Sequence, residues 1–162
     1  MKILGIDPGS SRMGYGVIEE QGSDLRLLMY GVLEVQEPPA TKKIAALAEQ
    51  LRKLLDEVRP DVVGVETLFF SNNQKTAMEV SQARGVILLV LSEKKIPTVE
   101  CSPRTVKQAT TGYGLADKRA VAKMVTQILQ CGVLTGYDDA SDALAVAITV
   151  AGEVRARRRV DR

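Results

Sequence analysis

Histidine is missing from all 162 residues of the chain. That removes Ser-His-Asp triads, imidazole general bases and His-ligated zinc from the available chemistry. Cysteine is scarce as well. Cys101 and Cys131 alone build neither a disulfide scaffold nor a Cys-based zinc site, and so sparse a use fits a reducing cytoplasm. Aromatic residues make up 4% of the chain, and its two phenylalanines, Phe69 and Phe70, stand side by side. No apolar run is long enough to span a bilayer; the longest, near 86–91, breaks at Ser92-Glu93-Lys94-Lys95. The N-terminus shows no charged region leading into an apolar block and a small-residue cleavage site, so no secretory signal is expected. What remains for catalysis is carboxylate, Lys, Tyr, Ser/Thr or a bound metal ion.

The residues present describe one globular domain: 45% are hydrophobic and 26% charged, over a length able to bury a core. The formal net charge of +2 is unevenly spread. Residues 153–162 carry five arginines against Glu153 and Asp161, a net +3, so the remainder is slightly acidic. Residues 94–123 are nonetheless basic: Lys94, Lys95, Arg104, Lys107, Lys118, Arg119 and Lys123 face only Glu100 and Asp117. Such runs fit a solvated surface or phosphate contact.

The stretch KILGIDPGSSRMGYG organises the chain. Ile3, Leu4 and Ile6 form a buried strand that ends in Asp7; Pro8-Gly9-Ser10-Ser11 turns the chain, and 14–18 return as a second strand. Residues 25–35 make a third strand of the same antiparallel meander, closed by Glu37-Pro38-Pro39. Ile44, Leu47, Leu51, Leu54, Leu55 and Val58 recur at helical spacing over 41–58. Residues 61–66 then read as a short buried strand ending in Glu66, parallel to the first. After a loop at 67–73, residues 74–94 read as a long helix apolar on more than one face, hence buried deeply or by a partner subunit. A short strand at 97–100 follows, then helices at 103–109 (Ser102 as N-cap), 117–129 and 138 to about 154. The fold expected is an α/β domain, a five-stranded mixed sheet with helices on both faces.

Two strands expected to be neighbours both end in an acid, at the sheet edge where open α/β sheets bind ligands. Asp139 and Asp142 are three apart at the start of the last helix, hence on one face. Asp7, Glu66, Asp139 and Asp142 at one edge would repel each other unless cations neutralise them. With hard oxygen donors and no His, Mg²⁺ or Mn²⁺ is the natural ion, and two ions ~3.5–4 Å apart can clamp the oxygens of a phosphodiester displacement. Other readings stand beside this one. Asp7-Pro8-Gly9 is also a turn signal, and Asp138 and Asp139 also suit a helix N-terminus.

The motifs GIDPGSSRMGYGVI, VGVETLFFSNNQKTAMEVSQARG, SPRTVKQATTGYGLADK and DDASDALAVAI resemble the RuvC family of Holliday junction resolvases over roughly residues 1–152. The resemblance implies a ribonuclease H-like nuclease domain over 1–152. It implies a homodimer that nicks two opposed strands of a four-way DNA junction with Mg²⁺, leaving 5′-phosphate and 3′-hydroxyl ends. It places the catalytic, metal-holding acids at Asp7, Glu66, Asp139 and Asp142, preferring Asp139 to Asp138 by the family's spacing of three. It adds Lys107 and Lys118 for junction binding, with Lys118 also catalytic, and Phe69 as an aromatic that stacks on opened bases. It further implies coupling to the RuvA–RuvB branch-migration complex. Residues 153–162 match nothing and are expected to be a short, disordered basic tail. Three readings compete: an actin-like or sugar-kinase ATPase with the same core, a nuclease for other branched nucleic acid, and a non-catalytic DNA-binding module. The ATPase needs two such domains to enclose its nucleotide.

Overall fold

A computed structural model describes residues 1–34, 40–67 and 74–160. Three strands come first: β1 (Lys2–Pro8), β2 (Arg12–Gln21) and β3 (Asp24–Glu34). Helix α1 (Ala40–Val58), strand β4 (Val62–Glu66), helix α2 (Gln74–Glu93) and strand β5 (Thr98–Cys101) follow. The chain then turns helical as α3 (Pro103–Thr111), α4 (Lys118–Ile128) and α5 (Asp138–Val160). The five strands form one sheet in the order β3-β2-β1-β4-β5. β1, β2 and β3 are an antiparallel meander, and β4 and β5 extend β1 in parallel, as the helix inserted between β1–β3 and β4 leads one to expect.

Strand alternation sends successive side chains to opposite faces. Leu4, Ile6, Val17, Val63 and Val65 pack against α1 and α2 in one core. Ile3, Ile18 and Val62 pack against α3, α4 and α5 in the other. The sheet is therefore buried on both sides, and its central strands read as near-continuous apolar runs.

On the α5 face the middle of the sheet is made of glycine. A Cβ on Gly5 would lie 2.0 Å from the Ala143 carbonyl oxygen, and one on Gly14 would lie 2.1 Å from that of Asp139. Added Cβ atoms on Gly16 and Gly64 would strike Leu144 and Val146 in the same way. These positions form a trough into which α5 settles, backbone close to backbone. From Ala140 to Ala151 that helix is buried nearly all round, which fits its small side chains and its place as the central helix of the layer.

Helix α5 runs to Val160, so the disordered tail expected from residue 153 is not found over the described residues 153–160. Buried Glu20 on β2 accepts from Arg155 Nε and, at 3.3 Å, from Arg158 Nη1. Arg157, Arg158 and Arg159 lie in the last turn, where cations suit the negative helix end. Composition shows only the arginines; the carboxylate that anchors them is 135 residues away. Among the described residues, no helix is long and apolar enough to cross a membrane. Val35 at the end of the expected third strand, the Glu37-Pro38-Pro39 closure, and Phe69 and Phe70 lie outside the described residues.

Candidate active site

Pairing register brings the first two acids together. Ile6 stands opposite Val65 in the parallel β1–β4 ladder, so Asp7 and Glu66 follow side by side at one sheet edge. Alternation turns both toward α5, on the face that carries Gly5 and Gly64. Opposite Asp7 on β2 is Gly14, the residue whose missing side chain admits the first turn of α5 at Asp139. The trough therefore delivers Asp139 and Asp142 to the edge where the strands end.

The electrostatics show how crowded that edge is. Burial, and then the charges of Glu66, Asp142 and Asp139, push the Asp7 carboxyl up to about 8. Asp7 therefore takes up a proton far more readily than a free carboxylate does. Glu66 is also raised, by burial and then by Asp142, against the opposing pull of its contact with Asp7 and of the Lys107 and Lys118 charges. Asp142 is raised by burial and by Asp138 and Asp139, even though Lys118 Nζ donates to it at 2.8 Å. For Lys118, burial pulls downward, but the bond to Asp142 and the charges of Asp142, Asp138 and Asp139 outweigh it and leave the ammonium above its usual value.

Two basic side chains thus share the acids among them. Lys118 bridges Asp142 and, at 3.6 Å, Asp138. Arg12 Nε pairs with Asp139 Oδ2 at 3.2 Å, and its guanidinium lies 4.1 Å from the centroid of the Tyr137 ring. Lys118 opens α4 immediately after its N-cap Asp117, which accepts from the Ala120 N–H at 2.8 Å. A lysine in the first helical turn opposes the macrodipole, so its place is explained by the carboxylates it meets rather than by the helix. Lys107 rides on α3, which Ser102 caps by accepting from the Thr105 N–H at 3.0 Å.

Of the residues expected at the site, Asp7, Glu66, Asp139, Asp142 and Lys118 gather at one edge, and Lys107 reaches Glu66 with its charge. Phe69 lies outside the described residues. Among the described residues no three carboxylates close on one point tightly enough to grip a single ion. Asp142 is drawn toward Lys118 and Asp139 toward Arg12. Four hard oxygen donors with no sulfur or imidazole among them fit Mg²⁺ or Mn²⁺. A more enclosed, largely apolar cavity lies behind the same turn, between Met13, Leu33, Ile44 and Leu47. Arg12 lines it too, as do Ser10, Ser11, Lys43 and Glu79.

The sequence reading passed over Arg12, Tyr137, the second contact of Lys118 and the glycine trough. Arg12 lies inside the opening motif, but its partner is 127 positions on, and no local pattern signals that meeting. Gly14 and Gly16 at alternate positions of β2, with Gly5 in β1, were a legible sign of a close-packed helix.

Comparison with known proteins agrees with this architecture. Residues 3–150 match the family model described as "Crossover junction endodeoxyribonuclease RuvC". A protein of that name from Thermomicrobium roseum is 46% identical over 149 residues, 91% of either chain. The solved RuvC structure from Thermus thermophilus superposes with a TM-score of 0.86 at 34% identity, covering 96% of both chains. The same protein in complex with Holliday junction substrate gives 0.85 at 32% identity, with the same coverage.

Proposed function

The chain belongs to the RuvC family of crossover junction endodeoxyribonucleases, and from that membership we propose which of its residues do the work. It is a nuclease that resolves four-way DNA junctions, with the ribonuclease H-like fold of that family. Asp7, Glu66, Asp139 and Asp142 hold its divalent cations, Mg²⁺ or Mn²⁺, two per site. When bound, such ions polarise a phosphodiester and activate water at neutral pH. The observation that carries this assignment is the placement of Asp7 and Glu66 at the adjoining ends of parallel strands, with α5 bringing two more acids to the same edge.

The chain's own groups set the conditions for the reaction. Asp7, whose carboxyl is raised by burial and its acidic neighbours, gives up its proton to solvent and becomes free as a ligand. Lys118, more than half exposed and bonded to Asp142, turns its ammonium to the scissile phosphate and steadies charge on the leaving 3′ oxygen. Lys107, close enough to act on Glu66, takes a neighbouring phosphate. Phe69 stacks on bases opened at the crossover. Nicks are paired because two copies associate about a two-fold axis that matches the near-symmetry of the junction. Helix α2, which exposes Met78 and Leu89, forms the contact; a monomer in ultracentrifugation at micromolar protein overturns that part. The enzyme works in the cytoplasm alongside the RuvA–RuvB complex.

The test is Asp7→Asn on a labelled four-way junction in Mg²⁺, with linear duplex and ATP as control substrates. Cleavage falls on the order of 10³-fold, while junction binding measured without Mg²⁺ stays within twofold. Full nicking by the variant removes the site, and ATP turnover by the native protein favours the actin-like reading.

A further inference from the structure

The Tyr137–Asp139 segment grips Arg12 from two sides. Its Nε meets Asp139 Oδ2 at 3.2 Å, and the guanidinium carbon sits 4.1 Å from the Tyr137 ring centroid. The ring contact fixes the plane of the guanidinium and the ion pair fixes its reach. Lys118 is a different kind of neighbour, since it meets Asp142 through a flexible stem that can turn away. One acid of the constellation is therefore tied to a held cation and another to a mobile one, while Asp7 and Glu66 meet no cationic side chain closely enough to form an ion pair among the described residues.

We infer that Arg12 is a positioning residue, the built-in counter-ion of Asp139, which a divalent cation must displace before Asp139 can serve as a ligand. The inference rests on the assignment of Asp139 to the metal site. Its physical basis is competition for one carboxylate. A cation binding there meets the repulsion of a fixed positive charge a few ångströms away, and Asp139 exchanges one partner for another. The two cation positions are then unequal. The one served by Asp7 and Glu66 fills first, and the one served by Asp139 fills only once Arg12 has moved. A phosphodiester is the natural second partner for a displaced guanidinium, because a phosphate accepts two parallel N–H donors. Arrival of the DNA backbone thus completes the site by drawing Arg12 off Asp139. Both partners of the pair are partly exposed, at 40% and 29% for their side chains, so solvent screens it and the expected effect is modest.

The experiment titrates Mn²⁺ by calorimetry and electron paramagnetic resonance into the full chain without DNA. Native protein is compared with Arg12→Gln, Arg12→Lys, Tyr137→Leu and Asp139→Asn. Arg12→Gln tightens the weaker Mn²⁺ event about threefold to fivefold, the scale of losing one partly exposed ion pair. Arg12→Lys restores the charge and stays within about twofold of native. Tyr137→Leu frees the guanidinium and tightens binding by an intermediate amount. A purely structural role for Arg12 would weaken Mn²⁺ binding or leave it unchanged, and either result overturns the inference. Should Arg12→Gln fail to fold, Tyr137→Leu decides in the same direction. If Asp139→Asn weakens Mn²⁺ binding while Arg12→Gln does not tighten it, Arg12 alone loses its role. If Asp139→Asn changes nothing, Asp139 is no ligand and both readings fall.

Discussion

The two ends of α5 meet the same sheet under opposite electrostatic conditions. At the C-terminal end a single buried carboxylate, Glu20, is shared by Arg155 and Arg158, and the negative pole of the helix adds to the attraction. At the N-terminal end Asp7, Glu66, Asp139 and Asp142 crowd together with too few cations to match them. The shortfall there is so large that Asp7 retains a proton to about pH 8. One end has its buried carboxylate paired twice over and fastens the helix. The other gathers four carboxylates that its two paired cations, Arg12 and Lys118, match only in part.

That contrast breaks most severely if the helix leaves its trough. Gly5→Ala places a methyl group within 2.0 Å of the Ala143 carbonyl oxygen, which no flexible side chain can relieve. We expect a loss of about 3 kcal/mol or more in urea unfolding, with cleavage lost in proportion as Asp139 and Asp142 move off the edge. A melting curve within a degree of native would mean that α5 does not depend on the trough.

Disturbing only the Glu20 end has a smaller effect. Glu20→Ala leaves two arginines without their acceptor, but both reach solvent, so the loss should be about 1–2 kcal/mol. Hydrogen exchange should quicken over the last turns of α5. Junction cleavage at saturating Mg²⁺ should stay near native, because the two poles lie a helix length of ~30 Å apart. A large fall in cleavage would show that the ends are coupled.

The smallest effect sharpens the contrast by its sign. The Asp7 carboxyl lies near 8 in the folded chain against 3.8 for the free side chain. The folded state thus holds this proton more tightly than the unfolded one. The stability it lends is fully present below about pH 4 and is lost as pH rises to about 8. Asp7→Asn carries no such loss. In EDTA its melting temperature should exceed native by about 2–4 °C at pH 8, the scale of ~1 kcal/mol for a chain of this size. The difference should close toward pH 4. A variant less stable than native at pH 8 would show that Asp7 is a structural residue after all.

Much of this molecule was legible before folding. Alternation and helical periodicity placed every described strand and helix, with boundaries off by a few residues where β2 begins two earlier at Arg12 and α5 runs on to Val160. Carboxylates at the ends of two apolar strands, and a pair spaced three apart, marked the candidate acids. The Arg155–Glu20 and Arg12–Asp139 pairs could not be read this way, since their members lie 135 and 127 positions apart. The place of Asp7 at the end of a buried strand was legible, but how close α5 brings Asp139 and Asp142 to it was not.

The sequence by itself determined which chemistry was possible. Lacking histidine and nearly lacking cysteine, the chain could gather only oxygen ligands, and strand alternation decided which face each acid would take. Only the tertiary structure decided how far that chemistry was left unsatisfied. Residue order specifies the charges, but their energies depend on distance and on exclusion of water. Both were set when α5 settled into its glycine trough.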